Sequence, residues 1–197
     1  IPRPSTETIV EFVLQHHRAA HGPSNQDGAG VLIADICTGS GCIAVSLLKH
    51  LKLARAAACD ISADAIEVST INAKKHGVDD RVEFLRGDLI GALALNAAAY
   101  GAGSFDYVIS NPPYIPDDEW GAVEPNVKEH EPHLALRGGV DGLDFVRRLA
   151  AEGPELLKAG GHLLIEVADS RAKEAAALVG ANALVENIRT LKDFEGL

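Results

Sequence analysis

The stretch Val31-Leu32-Ile33-Ala34-Asp35-Ile36-Cys37-Thr38-Gly39-Ser40-Gly41 joins an apolar run of strand length to a short turn that contains two glycines. A helical pattern from Cys42 to Leu51 follows directly. Glycine lets the backbone turn sharply and approach a ligand closely, which any side chain at Gly39 or Gly41 would obstruct. The stretch therefore predicts a strand–turn–helix unit of an α/β fold, with a nucleoside cofactor at the turn.

The same two patterns alternate along the rest of the chain. Apolar runs of strand length cover residues 31–37, 56–60, 81–87, 105–110 and 162–168. Helical patterns cover residues 41–52, 62–76, 143–158 and 170–181. Because strands that alternate with helices are typical of parallel sheets, the chain is predicted to form a Rossmann-like, mostly parallel sheet flanked by helices.

Residues 5–18 predict one further helix, which comes before the first strand. Its apolar face contains Ile9, Phe12 and Val13. The helix is expected to pack on the sheet through this face, and Ser5 or Thr6 is its predicted N-cap, because a side-chain hydroxyl can accept a hydrogen bond from the first free backbone N–H groups.

The chain has 197 residues, enough for one sizeable core, and no repeat or linker divides it. We therefore expect residues 1–197 to form a single domain. Residues 96–104 are small and glycine-bearing and predict a surface loop. Residues 184–191 alternate poorly, so the closing strand of the sheet is expected to be absent from this chain.

Two aspartates follow strand-like runs and are candidate cofactor ligands. Asp60 ends the run Ala56-Ala57-Ala58-Cys59, about 20 residues after the glycine turn, which is the spacing at which an acidic residue meets ribose hydroxyls in nucleotide-binding α/β folds. Asp88 follows the run at residues 81–87. Because open α/β sheets bind ligands at the carboxyl ends of their strands, Asp60 is predicted to bind the ribose, and Asp88 to face the adenine end.

The tetrapeptide Asn111-Pro112-Pro113-Tyr114 follows the fourth strand-like run and predicts the reaction class. An amide or exocyclic amine is a poor nucleophile, so its nitrogen must be held with the lone pair aimed at the reacting group. The Asn111 side chain and a carbonyl of the proline pair can each accept a hydrogen bond from such a nitrogen. Tyr114 can form an aromatic wall beside a planar group. The tetrapeptide therefore predicts amino-group methylation.

The amino-acid composition limits which classes of function remain open. A formal net charge of −10 disfavours broad binding of phosphate backbones, although a local basic face, for instance at Arg147 and Arg148, remains open. Cys37, Cys42 and Cys59 lack paired metal-ligand spacing and are expected to be small buried residues in a reducing compartment. No window approaches the length of an apolar membrane span.

A histidine cluster is the one candidate for a metal site. His130 and His133 stand beside Glu129 and Glu131, a donor set that zinc accepts. No His-Glu-x-x-His pattern and no nucleophile with an obvious base accompany it. We therefore expect neither a metal nor a covalent intermediate.

These residues together resemble the catalytic domain of the protein-(glutamine-N5) methyltransferases that modify peptide chain release factors. The matching motifs are Ile1-Pro2-Arg3-Pro4 with Thr6-Glu7, Asp35 to Gly41, Asn111 to Ile115, and a segment after the tetrapeptide that comprises Glu131-Pro132, Leu134-Ala135-Leu136, Gly138-Gly139 and Asp141-Gly142-Leu143. The last segment discriminates most, because nucleic-acid amino-methyltransferases share only the tetrapeptide. The similarity spans nearly the whole chain.

The resemblance implies a class I S-adenosylmethionine-dependent methyltransferase that acts on the glutamine of the Gly-Gly-Gln motif in release factors, with S-adenosylhomocysteine as the second product. It assigns roles to the following positions: Thr38, Gly39, Ser40 and Gly41 to the methionine moiety, Asp60 to the ribose, Leu89 to the adenine environment, and Asn111, Pro112, Pro113 and Tyr114 to the substrate glutamine. Asn111 would also lie close to the cofactor. The implied partner is a release factor. The chain is not expected to bind a membrane, nor to bind nucleic acid directly.

The chain departs from the family pattern at several points. Ser5 stands where an acidic residue is usual, and Cys37 replaces a glycine, so the turn is expected to place its flexible positions at Gly39 and Gly41. The N-terminal helical domain that helps family members recognise release factors is not visible, and the compartment, cytoplasmic or mitochondrial, stays open. The alternatives are an adenine or guanine amino-methyltransferase and an inactive adenosylmethionine-binding module.

Overall fold

A computed structural model of the chain describes residues 4–94, 96–124, 128 and 132–192. Its centre is a five-stranded sheet in the order β3-β2-β1-β4-β5. The strands are β1 Leu32–Ile36, β2 Arg55–Asp60, β3 Val82–Arg86, β4 Phe105–Ser110 and β5 Leu157–Ile165. All four neighbouring pairs are parallel, so every strand ends at the same edge of the sheet. The predicted α/β fold is confirmed.

Helices connect the strands and cover the sheet. They are α1 Pro4–His21, α2 Cys42–His50, α3 Ala63–His76, α4 Gly91–Ala94, α5 Ala97–Tyr100, α6 Asp144–Leu156 and α7 Ala172–Gly180. Short 3₁₀ turns lie at Gly22–Asn25, Trp120–Ala122, His133–Ala135 and Asp169–Arg171. In the part of the chain that the structure describes, no helix is long and apolar enough to cross a bilayer.

Alternate residues of each strand feed two apolar layers, as the pleat of a sheet requires. On one face, Ile33 of β1 packs with residues of α1, α2 and α3. On the other face, Ala34 and Ile36 pack with α4 and α6. Both sides of the sheet are therefore covered, which explains why the strands read as continuous apolar runs rather than alternating ones.

The N-terminal helix packs on the sheet as predicted, but its N-terminus differs from the prediction. Ile9 and Val13 are buried in the first layer, and Phe12 packs against it. The helix begins at Pro4, where the missing N–H of proline costs nothing, so Thr6 lies inside the first turn and is not the N-cap. Its hydroxyl bonds to Glu166 instead, 160 positions away.

Two other parts of the chain differ from the sequence prediction, one at β5 and one in the loop before β4. The last strand begins at Leu157 rather than at residue 162, because residues 157–161 join β4 across a register shift that Gly160 accommodates with φ +79°. Residues 97–100 form a short helix inside the predicted loop. Residues 185–192 contain neither helix nor strand, so the described part of the chain has no strand after β5.

Candidate active site

The strand order changes direction at β1, and this places the site. Strands β2 and β3 follow on one side of β1, whereas β4 and β5 lie on the other. The loops that leave β1 and β4 therefore diverge, and a crevice opens between them at the carboxyl edge of the sheet. The turn Thr38–Gly41 follows β1, and Asn111–Tyr114 follows β4, so the two predicted parts of the site border the same crevice.

The glycine turn is held by backbone and carboxylate contacts. The Thr38 N–H donates to the Cys59 carbonyl at 2.9 Å, and the Gly39 N–H donates to Asp60 Oδ2 at 2.9 Å. Gly41 has φ +78°, and a Cβ there would approach the Cβ of Ser69 to 3.0 Å. A Cβ at Gly39 would meet no atom within 4 Å. Gly41 therefore serves close packing on α3, while Gly39 borders open space.

Asp35 anchors this turn from beneath. The side chain is fully buried, and its Oδ2 accepts hydrogen bonds from Thr38 Oγ1 at 2.7 Å and from the Ala44 N–H at 3.1 Å. Its other oxygen, Oδ1, is buried and has no hydrogen-bond partner in the part of the chain that the structure describes. Burial is the main reason why the pKa of Asp35 rises from 3.8 to about 6, against the opposing effect of the two hydrogen bonds. Asp35 thus joins β1, the turn and α2 at an energetic cost.

The raised pKa of Asp35 predicts a specific pH dependence of stability. Between about pH 4 and pH 6 the folded protein binds more protons at Asp35 than the unfolded chain does, so the free energy of unfolding falls as the pH rises through this range. Asp35→Asn retains an acceptor oxygen and cannot ionise. We expect the ligand-free wild type to lose roughly 2–3 kcal/mol relative to this variant across the range, measured by urea unfolding. If the free energy of unfolding changes with pH in the same way for both proteins, the prediction is contradicted.

The backbone at Cys37 differs from the expectation that Gly39 and Gly41 are the flexible positions of the turn. The residue itself adopts φ +61°, so the left-handed region is occupied at Cys37 as well as at Gly39 and Gly41. A residue with a Cβ pays roughly 1–2 kcal/mol in this conformation. Burial raises the pKa of the Cys37 thiol to about 12, which keeps it protonated and unreactive. Cys37 is half-buried and Cys59 is buried, and both are free thiols.

The strain at Cys37 can be measured with a pair of variants. Both Cys37→Ala and Cys37→Gly remove the thiol, but only the glycine variant relieves the positive φ. We expect Cys37→Gly to be more stable than Cys37→Ala by about 1 kcal/mol in chemical denaturation, the reverse of the order at an ordinary strand end. Equal stability, or a more stable alanine variant, would show that the turn carries no such strain.

The predicted cofactor carboxylates lie at the expected strand ends and are both engaged. Asp60 accepts from the Gly39 N–H and, through Oδ1, from the Ser62 N–H at 2.9 Å, so it ties the turn after β1 to the start of α3. Asp88 receives two hydrogen bonds from Arg148 of α6, at 3.1 and 2.8 Å. Their predicted contacts with ribose and adenine stay predictions.

Leu89 and the two arginines named in the sequence analysis are each held by contacts with other residues. Leu89 is buried with φ +47°, and its carbonyl accepts the Cys59 thiol at 3.3 Å. A leucine with positive φ is held by its surroundings, which is typical of residues near ligands. Arg147 pairs with Asp141, and both arginines are ion-paired on a half-exposed helix face rather than forming a free basic patch.

The tetrapeptide begins at the end of β4, where its first residue is tied to two distant elements. The Ser110 hydroxyl donates to the Ile36 carbonyl at 2.8 Å, which joins the ends of β4 and β1. The Asn111 amide nitrogen Nδ2 donates to the Thr6 hydroxyl at 3.1 Å. Pro112 and Pro113 are buried, and Tyr114 is half-buried. The arrangement holds the Asn111 amide at the crevice.

The segment after the tetrapeptide is braced by the glycine-rich residues that resemble the family motif. Ile115 forms a parallel bridge with Arg137: its N–H donates to the Leu136 carbonyl at 2.9 Å, and its carbonyl accepts from the Gly138 N–H at 2.8 Å. A Cβ at Gly138 would lie 2.8 Å from the Tyr114 Cα, and one at Gly142 would overlap the Tyr114 carbonyl oxygen. These glycines are therefore required by close backbone packing against Tyr114.

Two residues beside Asn111 were not predicted from the sequence to belong to the site. Thr6 and Glu166 form a hydrogen bond of 3.0 Å beside Asn111. Glu166 directly follows an apolar strand run, as Asp60 and Asp88 do, so the same signal would have found it. Thr6 has no such local signal, because its contact with Asn111 joins residues 105 positions apart.

Of the histidine cluster considered as a metal site, only His133 lies among the described residues. Glu129, His130 and Glu131 lie outside the described residues. The His133 ring packs edge-on against Trp120, with centroids 4.9 Å apart. Among the residues that the structure describes, no group of three or more His, Cys, Asp or Glu side chains has a metal-binding arrangement.

Two curated relatives are similar to the chain over almost all of its length. The release factor glutamine methyltransferase of Chlorobaculum tepidum is 38% identical over 197 residues, which cover the whole chain and 64% of the relative. The enzyme of the same name from Clostridium acetobutylicum is 39% identical over 194 residues, which cover 98% of the chain and 63% of the relative. The chain thus spans slightly less than two thirds of the length of these relatives.

Solved structures and a family profile identify the fold and the family. A methyltransferase from Pyrococcus furiosus superimposes with a TM-score of 0.55 at 15% identity over 88% of this chain and 70% of its own. A putative rRNA methylase from Clostridium thermocellum gives 0.54 at 16% identity over 83% and 71%. These likenesses confirm the class I methyltransferase fold. The profile of the methyltransferase small domain matches residues 23–139, more than half of the chain, so the chain belongs to the methyltransferase small domain family.

Proposed function

We propose that residues 1–197 form the catalytic domain of an enzyme that methylates the side-chain amide of the glutamine in the Gly-Gly-Gln motif of peptide chain release factors, with S-adenosylmethionine as the methyl donor. The observation that carries the proposal is the placement of the Asn111-Pro112-Pro113-Tyr114 tetrapeptide beside the glycine turn after β1. The curated relatives at 38% and 39% identity, which bear the name of this activity, support it.

The residues of the turn fit the proposed cofactor. Gly39 borders open space, which admits a ligand close to the backbone, and Asp35 keeps one buried oxygen without a protein partner below the turn. Residues 38–41 would hold the methionine moiety, Asp60 the ribose, and the segment Asp88-Leu89 the adenine. S-adenosylmethionine supplies an activated methyl group when it is bound there.

Asn111 and the proline carbonyls orient the substrate nitrogen. The Asn111 Oδ1 accepts one N–H of the substrate amide, and the carbonyl of Pro112 accepts the other. Because Pro112 and Pro113 are buried and their φ angles are restricted by the ring, these acceptors reorganise little as positive charge develops on the nitrogen. Tyr114 borders the planar amide. The methylated nitrogen then releases one proton to water, so that the products are a neutral N-methyl amide and S-adenosylhomocysteine, and catalysis depends on positioning and electrostatics.

The charge of the chain favours a protein substrate over a nucleic acid. The formal net charge is −10, and Arg147 and Arg148, the candidate basic face, are neutralised by Asp141 and Asp88. A nucleic-acid substrate would require free cations along its backbone path. A base-amine methyltransferase and an inactive binding module are therefore outcomes of the test rather than second proposals.

The experiment follows the transfer of a labelled methyl group from S-adenosylmethionine by the full chain. The acceptors are a whole release factor, the same factor with Gln→Ala in its Gly-Gly-Gln motif, and total RNA of matched concentration. We expect label on the intact factor alone. Label on RNA would establish the base-amine reaction instead, and cofactor binding in calorimetry without label on any acceptor would establish an inactive module.

A further inference from the structure

A three-residue hydrogen-bond chain reaches the Asn111 amide from outside the tetrapeptide. The Thr6 hydroxyl donates to Glu166 Oε2 at 3.0 Å and accepts from Asn111 Nδ2 at 3.1 Å. Thr6 is 6% exposed, so water does not compete freely for its hydroxyl. The three residues come from α1, from the end of β5 and from the end of β4.

We propose that Thr6 and Glu166 are positioning residues, which orient the Asn111 amide so that its oxygen, and not its nitrogen, faces the substrate. The inference rests on the proposed function, because an acceptor is needed only where the substrate presents an N–H. The nearly symmetric shape of an asparagine amide makes such control necessary, since a rotation by half a turn exchanges its donor and acceptor.

The direction of these two hydrogen bonds follows from which groups carry a proton to donate. A carboxylate only accepts hydrogen bonds, so the single proton of the Thr6 hydroxyl points to Glu166. The Thr6 oxygen is then left with lone pairs alone, and only the NH₂ end of the Asn111 amide can bond to it. The Asn111 Oδ1 consequently points away from Thr6.

Glu166 is itself fixed in place. Its backbone N–H donates to the Ser110 carbonyl at 2.9 Å, immediately before Asn111, so Glu166 and Asn111 keep a constant separation.

The series of hydrogen bonds from Glu166 to Asn111 also has an electrostatic effect. Hydrogen bonds in series polarise one another, and a carboxylate at one end makes the Asn111 oxygen at the other end more negative. That oxygen is therefore a stronger acceptor for a nitrogen that becomes positive during the transfer.

Thr6→Val tests the proposal, because it removes the hydroxyl and keeps the shape. We expect kcat for a Gly-Gly-Gln substrate to fall about 30-fold, within the range for a misplaced catalytic group, with little change in KM for the cofactor. Thr6→Ser retains the hydroxyl and should restore most of the activity. Thr8→Val is the matched control, since Thr8 lies two residues further along α1 and its buried hydroxyl has no hydrogen-bond partner among the described residues. Full activity of Thr6→Val would overturn the proposal.

A second measurement separates this proposal from the proposed function. The side-chain NH₂ signals of Asn111 are recorded by NMR in the ligand-free chain, with a ¹⁵N label. We expect these signals to shift upfield and exchange faster in Thr6→Val and in Glu166→Gln, but to stay unchanged in Thr8→Val. Unchanged signals in Thr6→Val would overturn the orientation even if the wild type is fully active, and shifted signals would retain it even if the wild type methylates a different acceptor.

Discussion

Asn111→Ala is expected to lower kcat for methylation of a Gly-Gly-Gln substrate by about 10³-fold, the size of effect seen when one preorganised hydrogen-bonding group is removed from an active site. The variant loses the acceptor for one substrate N–H. It also removes the hydrogen bond from the Asn111 amide to Thr6, which itself bonds to Glu166. The fold should persist, because Asn111 is only partly buried and its side chain packs in neither apolar layer. Single-turnover kinetics with labelled cofactor measure the loss.

The controls for Asn111→Ala address binding and additivity. Cofactor affinity, measured by calorimetry, should change by no more than about 3-fold, since most of the proposed cofactor contacts lie on the turn after β1 and on the ends of β2 and β3. Adding Thr6→Val to Asn111→Ala should cause no further loss, because Thr6 acts through Asn111. A variant that keeps a tenth of the wild-type rate would remove Asn111 from its proposed role.

Gly142→Ala is expected to have the second largest effect, although Gly142 is not one of the residues proposed to bind the substrate. Its φ is +76°, and an added Cβ would overlap the Tyr114 carbonyl oxygen and lie 3.2 Å from Pro116 Cγ. The backbone after the tetrapeptide must therefore move. We expect the free energy of unfolding to fall by roughly 3 kcal/mol and kcat to fall about 10²-fold, because displacements of about 1 Å disturb a positioned site strongly.

Gly121→Ala provides the matched control for this prediction. Gly121 lies in the same stretch between Tyr114 and Gly142, and a Cβ added there would meet no atom of the described residues within 4 Å. Its substitution should change the free energy of unfolding by no more than about 0.5 kcal/mol and leave kcat unchanged. If both variants behave alike in urea unfolding and in kinetics, the packing of Gly142 against Tyr114 does not support the site.

The parts of the fold that were predicted from sequence depend on local patterns. The apolar run into the glycine turn at residues 31–41 predicts a strand, a turn and a helix, and all three are present. Parallel pairing then brings Asn111 and the turn to one edge of the sheet without any further information. The first half of β5 was not predicted. The register shift in this half is defined by its pairing with β4, and the local sequence around Gly160 and Gly161 has no strand pattern.

The parts of the site that were missed depend on contacts between distant residues. Thr6 was interpreted as a helix cap, since a hydroxyl near a helix start usually caps it. Its hydroxyl bonds across the site to Glu166, and no sequence pattern links two positions 160 residues apart. The positive φ of Cys37 was missed for a different reason: the surrounding structure imposes a conformation that the residue type itself disfavours.

The reaction proposed for the chain is methylation of a glutamine side-chain amide. Tandem mass spectrometry of a release factor after incubation with the full chain and S-adenosylmethionine tests it. We expect one added methyl group, located on the side chain of the glutamine in Gly-Gly-Gln and absent when Asn111→Ala replaces the wild type. A methyl group on any other residue, or an unmodified factor beside methylated RNA in the same reaction, would contradict it.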